Sequence, residues 1–192
     1  QSTPIQLCLM TAQIANGGYK IEPRIIYDKE KNDLKDYLDF KLNNPNEKIP
    51  GDLLIKNFNL EPLFKNQKNI DIVKDAMFSS SNEPGGTSYR HRMENPKFTF
   101  AGKTGSSQIK RFTEAQREAE VKQTELNYKD RDHALFVAFA PYKEPKYAIS
   151  VVVEHGGSGG STAAPIAKKI IKKVIERHDL REDIKYSQEE SI

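Results

Sequence analysis

Apolar positions change their period along this chain, and the change falls near residue 97. Before it, hydrophobic residues recur at helical spacing or are sparse; after it, they alternate or run together as strands do. Ile5, Leu7, Met10 and Ile14, with the small Cys8, Ala12 and Ala15, predict an opening helix. Thr3 can cap it, Pro4 suits its first position, Gln6 completes a capping box with Thr3, and Gly17-Gly18 ends it. Tyr19 to Tyr27 reads as extended, and Pro23 makes it an edge or a connection. Residues 28 to 68 are rich in Lys, Asn, Asp and Pro, with scattered anchors at Leu53, Leu54, Phe58, Leu60, Leu63 and Phe64. They predict a polar surface excursion with one or two short helices, not a core. Asn69 or Asp71 could cap a helix through about Ser80, with Ile70, Val73, Ala76 and Met77 on one face, and Pro84-Gly85-Gly86-Thr87 is a turn.

Lys97 to Arg111 reads as a long strand, followed by a polar stretch from Glu114 to Asp132 with almost no apolar face. His133 to Ala140 predicts a buried strand, Pro141 to Pro145 a turn, and Tyr147 to Glu154 the returning strand. The glycine-rich turn Gly156 to Gly160 leads into a helix from about Ser161 to His178. Its Ile166, Ile170, Ile171, Val174 and Ile175 recur at helical spacing, with Lys168, Lys169, Lys172 and Lys173 outside. The expected class is therefore α+β, an antiparallel sheet of three C-terminal strands flanked by helices. No internal repeat is present.

Composition narrows the choice. A chain of 192 residues fits one domain or a large fragment of one. Only 36% of it is hydrophobic and 30% is charged, so much of it is expected to be solvated loop. A formal charge of +3, with no long basic block, does not argue for a nucleic-acid partner. The single cysteine, Cys8, excludes an internal disulfide and reads as a small packed hydrophobe. His91, His133, His155 and His178 lack ligand spacing, so neither a metal nor a cofactor is expected. No charged-then-apolar leader and no apolar run near the roughly 18 residues of a membrane span occurs. The chain opens on Gln1, and we read it as a fragment of a longer protein.

One motif carries chemistry. Lys103-Thr104-Gly105-Ser106 lies on a predicted strand, and Lys-Thr-Gly is one of three motifs of serine β-lactamases and penicillin-binding proteins. A lysine supplies fixed positive charge, hydroxyls bind a carboxylate, and a glycine lets the backbone approach an acyl group. Gly102-Lys103-Thr104 also suggests a phosphate-binding loop, but that loop needs a glycine where Lys97 stands, and a helix afterwards. The Gly156 to Gly160 turn could bind an anion, but a tight strand-to-helix connection is the favoured reading.

Further segments extend the motif into a resemblance. Thr3-Pro4-Ile5-Gln6-Leu7 with Ile14-Ala15-Asn16-Gly17-Gly18, Glu83-Pro84-Gly85-Gly86-Thr87 and Ala101-Gly102-Lys103-Thr104-Gly105 occur in the order seen in class B penicillin-binding proteins. Arg131-Asp132-His133-Ala134 through Phe139-Ala140-Pro141, and Glu154-His155-Gly156-Gly157 with Ala163-Ala164-Pro165-Ile166-Ala167, continue it. The chain most resembles the penicillin-binding protein 2 type of rod elongation, over nearly all its length except about residues 28 to 75. Ser106-Ser107 replaces the usual Thr-Ala and keeps a hydroxyl; His155 stands where Asn is common.

The resemblance implies that residues 1 to 192 are the C-terminal portion of one serine β-lactamase/transpeptidase-like domain. It implies catalytic roles for Lys103 and Ser106 and substrate binding by Thr104, Gly105, Ser106 and Ser107. It implies a D-Ala-D-Ala stem peptide and β-lactams as ligands, and a membrane-embedded glycan polymerase as partner of the parent. The parent is expected on the periplasmic side of the inner membrane, anchored by a span absent here. The family's nucleophile, in S-x-x-K, and its S-x-N motif are expected upstream of Gln1. Ser107-Gln108-Ile109-Lys110 matches the first literally, but on a strand residues three apart point to opposite faces. Ser80-Ser81-Asn82 matches the second but precedes the Pro-Gly-Gly turn. The segment from Glu114 to Asp132 is either a loop overhanging the cleft or a solvated one. A non-catalytic penicillin-recognising sensor, a β-lactamase-related binding module, or a truncated product with only a structural role remain the rival readings.

Overall fold

The structure is a computed structural model that describes residues 2–21, 23, 62–110 and 122–189 of the chain. The anchors Leu53, Leu54, Phe58 and Leu60, most of the excursion and residues 114–121 lie outside the described residues. Helix α1 (Pro4–Ala15) begins as its sequence predicts. Thr3 Oγ1 accepts from the Gln6 amide at 3.3 Å, and Gln6 Oε1 accepts from the Thr3 amide at 2.8 Å. It ends at Asn16 and two glycines with positive φ. Its buried side is made of small residues: Thr11 and Ala15 are buried, whereas Ile5 and Met10 stay exposed. Small side chains allow close approach to the sheet, and the Cys8 thiol reaches the Ala148 carbonyl at 3.5 Å. Burial pushes that thiol's pKa up, partly offset by a backbone hydrogen bond, so it is held in its unreactive form.

Helix α2 (Gln67–Asn82) starts earlier than the Asn69 or Asp71 expected, because Asn66 Oδ1 caps the Lys68 amide at 3.1 Å. Ile70, Met77 and Ser81 are its buried residues, while Val73 and Ala76 are exposed. Strand β1 (Ala101–Ser107) is shorter than the run from Lys97 to Arg111. An Asn95 side chain accepts the Lys97 amide at 3.0 Å, and turns through Phe98 and Thr99 hold the chain until the ladder begins. Strands β2 (His133–Ala140) and β3 (Tyr147–Val153) complete an antiparallel sheet in the order β1-β2-β3. Lys103 faces Val137, Gly105 faces Leu135 and Ser106 faces Ala134 across the first pair. Helix α3 (Ala164–Glu189) follows a π-turn at Gly159–Ala163.

Two apolar layers result, one on each side of the sheet. Ala134, Phe136 and Ala138 of β2 meet Ala164, Ala167, Ile171 and Ile175 of α3. On the opposite face Phe139 and Ala101 pack with Ala15 of α1 and Met77 of α2. The expected stripe of α3 holds in part: Ile171 and Ile175 are buried, but Ile166 and Ile170 are exposed, and Ala164 and Ala167 lie against the sheet instead. Lys168 is not merely solvated, since its ammonium donates to the Arg92 carbonyl at 3.3 Å.

The α2 layer is tied to the β2–β3 turn by Tyr142, whose hydroxyl donates to Asp75 Oδ1 at 2.5 Å. That hydrogen bond, then burial and the Asp75 and Asp71 charges, push the phenol pKa from 10 up to about 12. The folded state therefore favours the neutral phenol. Its contribution is fully present below about pH 10, where unfolded tyrosine ionises, and is lost as pH rises through about 12. An ultraviolet titration should show one tyrosine ionising late, and Tyr142→Phe should remove that component. A titration unchanged by the substitution would contradict the assignment.

Candidate functional site

Among the described residues β1 is an edge strand: β2 bonds one side of it, and no strand bonds the other. In an antiparallel strand every second residue turns its N–H and C=O to that outer edge. The end of α2 takes the first of these carbonyls. Asn82 Nδ2 donates to Phe100 O at 2.8 Å, and Ser81 Oγ donates to Gly102 O at 3.3 Å. At the next position Lys103 Nζ donates to Thr104 O at 2.9 Å. The alternation then brings the N–H of Ser106 to the same edge. Here no residue of α2 follows, and the strand is exposed.

Ser81 and Ser88 are buried, and their hydroxyls lie 3.1 Å apart. Ser88 Oγ also donates to Ser80 O at 3.2 Å. This clamp sets the turn that carries Thr87, whose hydroxyl accepts from Thr104 Oγ1 at 3.0 Å and pairs with Ser80 Oγ at 3.2 Å. Ser81, Asn82, Thr87 and Ser88 were not singled out as site residues from the sequence. A signal existed: Ser81 lies four residues beyond Met77, on the buried side of the same helix. Ser80-Ser81-Asn82 is thus a structural clamp. Ser107-Gln108-Ile109-Lys110 begins on β1, with Lys110 Nζ paired to Asp130 at 3.2 Å, and has no helical geometry.

Side chains alternate as well as amides. Lys103, Gly105 and Ser107 share the face of Val137 and Leu135, whereas Thr104 and Ser106 share the face of Phe136 and Ala134. The amine and the two hydroxyls are therefore not on one face; the flexible Lys103 stem returns its ammonium to the edge between them. Ser106 Oγ donates to Gly157 O at 3.4 Å, which holds it against the turn before α3.

The glycines divide by cause. A Cβ on Gly102 would lie 2.5 Å from Phe136 Cζ, and one on Gly159 only 2.2 Å from Leu135 O, so the interior excludes side chains there. A Cβ on Gly105 would meet only Leu135 Cβ, at an ordinary 3.4 Å. Packing does not demand that glycine.

His155, in place of the usual Asn, has φ 55°, a region that Asn and His enter more readily than most residues. Its amide donates to His133 Nδ1 at 2.9 Å, so that imidazole carries its proton on Nε2. Its ring lies 5.0 Å from that of Tyr128. Gln123 Nε2 donates to Asp132 Oδ2 at 3.0 Å, so the described end of the polar loop, residues 122–132, folds back onto β2. Among the described residues no group of His, Cys, Asp and Glu could hold a metal ion, and no helix is long and apolar enough to cross a membrane.

Comparison with known proteins places this edge in context. The family model for the penicillin binding protein transpeptidase domain matches residues 1–172. The peptidoglycan D,D-transpeptidase MrdA of Salmonella typhimurium is 31% identical over 170 residues, covering 88% of this chain and 24% of that protein. Among solved structures, the complex between penicillin-binding protein PBP2 and MreC from Helicobacter pylori aligns with a TM-score of 0.59 and 28% identity, over 91% of this chain and 25% of that one. Pseudomonas aeruginosa PBP2 in complex with WCK 5153 aligns with a TM-score of 0.55 and 28% identity, over 89% of this chain and 29% of that one. The chain spans about a quarter of the length of the curated relatives it matches.

Proposed function

Since this chain belongs to the penicillin-binding protein transpeptidase family, in its class B, penicillin-binding protein 2 type, we propose that it forms the β1 wall of a peptidoglycan D,D-transpeptidase site. The observation that carries the reading is the unequal treatment of the β1 edge. Its first carbonyls are closed by Ser81 and Asn82 and the Thr104 carbonyl by Lys103, while no group of α2 reaches the outward Ser106 N–H, beside a glycine that packing does not require.

An extended stem peptide ending in D-Ala-D-Ala lies along that open edge. The Thr104 and Ser106 hydroxyls, on one face, hold its terminal carboxylate. The Ser106 N–H is one donor to the oxyanion, a role worth roughly 10²–10³ in rate. Gly105 admits the acyl group, and Ser107 borders it at the far end of the strand. Lys103 sets a positive field at the reacting centre. The serine that attacks and the lysine that activates it come from an S-x-x-K helix outside residues 1–192. The serine oxygen bonds to the carbonyl carbon, the amide C–N bond breaks, and the leaving D-alanine amine takes the serine's proton. An amine from a neighbouring stem then resolves the ester. β-Lactams acylate the same serine, and no cofactor is needed. The whole protein acts at the periplasmic face of the inner membrane, alongside a membrane-embedded glycan polymerase.

Labelling with fluorescent penicillin tests this division of labour. The protein expressed from its complete gene should take covalent label, and residues 1–192 expressed alone should take none. Label bound covalently to the 192-residue chain would contradict the proposal.

A further inference from the structure

Three hydroxyls behind the β1 edge are linked in a row. Thr104 Oγ1 donates to Thr87 Oγ1 at 3.0 Å, and Thr87 Oγ1 lies 3.2 Å from Ser80 Oγ, near the end of α2. Thr87 thus reaches the Lys-Thr-Gly strand from 17 residues away in the chain. Its backbone is held on two sides. A Cβ on Gly86 would lie 2.4 Å from Ser80 O, and one on Gly160 would lie 2.7 Å from Thr87 O, so the turn is pressed between α2 and the π-turn. The amide of Ser88, next in the chain, donates to Ser80 O at 3.1 Å.

Thr104 is held as firmly. The same Cβ on Gly160 would come 3.6 Å from Thr104 Cγ2, which places that methyl by the π-turn and leaves Oγ1 on the Thr87 side. Threonine has few χ1 choices, so both oxygens are fixed and only their protons are free to turn. A hydroxyl has one proton and two lone pairs, whereas an ionised carboxylate only accepts. The single Thr104 proton is given to Thr87. For Thr104 to hold a carboxylate, that proton has to swing outward. The 3.0 Å contact then stays attractive only when Thr87 becomes its donor.

We propose that Thr87 is a positioning residue for the substrate carboxylate: it turns its proton to Thr104, and so aims the Thr104 proton at the carboxylate. The inference rests on the transpeptidase reading above, in which Thr104 and Ser106 hold that group. Ser80 then donates to Thr87, so that Thr87 and Thr104 each accept one hydrogen bond and give one. Only rotations about C–O bonds are needed, and no O–H bond breaks. Hydrogen bonds aligned in this way polarise one another, which strengthens the last of them, the one to the charge. A group that only accepts, placed where Thr87 stands, would keep the Thr104 proton for itself. An apolar group would leave the Thr104 oxygen with no donor behind it. A hydroxyl serves both arrangements.

The test uses the protein expressed from its complete gene and compares acylation by benzylpenicillin with acylation by its methyl ester, which lacks the carboxylate charge. The unaltered protein should react faster with the acid. Thr87→Val, which keeps the shape and removes the hydroxyl, should cut the acid-to-ester ratio about five- to tenfold, the effect of one hydrogen bond in a chain that ends on a charge. Thr87→Ser should keep most of the ratio. In a Thr104→Val background, Thr87→Val should change it no further. A general disturbance of the fold would slow both ligands alike and leave the ratio unmoved. A ratio near one in the unaltered protein, a ratio unchanged by Thr87→Val, or a fall as large in Thr87→Ser or without the Thr104 hydroxyl would each overturn the role of Thr87. Should Thr87→Val not fold, Ser80→Ala carries the test: the ratio should fall about twofold, and an unchanged ratio overturns the role equally. Failure of the unaltered protein to be acylated by benzylpenicillin would instead remove the transpeptidase reading, and this role with it.

Discussion

Replacing Lys103 by alanine is expected to slow acylation by benzylpenicillin about 10²–10³-fold, the scale of losing one preorganised electrostatic partner. Lys103 projects from an edge strand, is exposed, and makes one hydrogen bond, to the neighbouring Thr104 carbonyl. The fold has little to lose from its removal, since surface substitutions of this kind stay within about 0.5 kcal/mol. The two readouts should therefore separate. The acylation rate, followed with the protein expressed from its complete gene, should collapse, and the melting temperature should hold. An acylation rate near that of the unaltered protein would show that the Lys103 charge does not act on the reacting centre.

The opposite pattern is expected from Gly159→Ala. Gly159 is buried in the π-turn before α3 and lies against the paired backbone of Gly105 and Leu135. A methyl group there would fall 2.2 Å from Leu135 O, 2.5 Å from Gly105 O and 2.9 Å from Gly105 N. All are ladder atoms, which cannot step aside as a side-chain tip can. Either the turn lifts from the sheet, exposing the Ala163–Ala164–Ala167 contact, or β1 is pushed from β2. Overpacking of this severity costs about 3 kcal/mol, which corresponds to a fall of roughly 6–12 °C in melting temperature for a domain of this size. Thermal melting followed by circular dichroism checks it; a melting temperature within a degree or so of the parent's would show that the turn can move freely. Acylation should fall as well, because the displaced strand carries Thr104 to Ser106.

These two residues mark what each level of description could see. Lys103 was visible in the sequence, because a strand-borne Lys-Thr-Gly is a chemical pattern. The opening cap at Thr3 and Gln6, and the strand from His133 to Ala140, were legible for a similar reason: their causes are local. The ends of β1 were not, because the length of a ladder depends on where its partner starts and stops. The face of α3 that meets the sheet was legible only in part, at Ile171 and Ile175. Ile166 and Ile170 have the greater hydrophobicity, but Ala164 and Ala167 let the helix come closer to Phe136 and Ala138.

By itself, the amino-acid order determined the fold class, the family resemblance and the strand carrying the Lys-Thr-Gly motif, since these rest on periodicity, capping and short motifs. The tertiary structure alone decided which part of the β1 edge is open. That choice belongs to Ser81 and Asn82, 21 and 18 residues away from the carbonyls they close. It likewise decided that Lys103 and the two hydroxyls stand on different faces. Hydrogen bonds between distant segments form only when both are already placed by packing, so no local pattern can announce them.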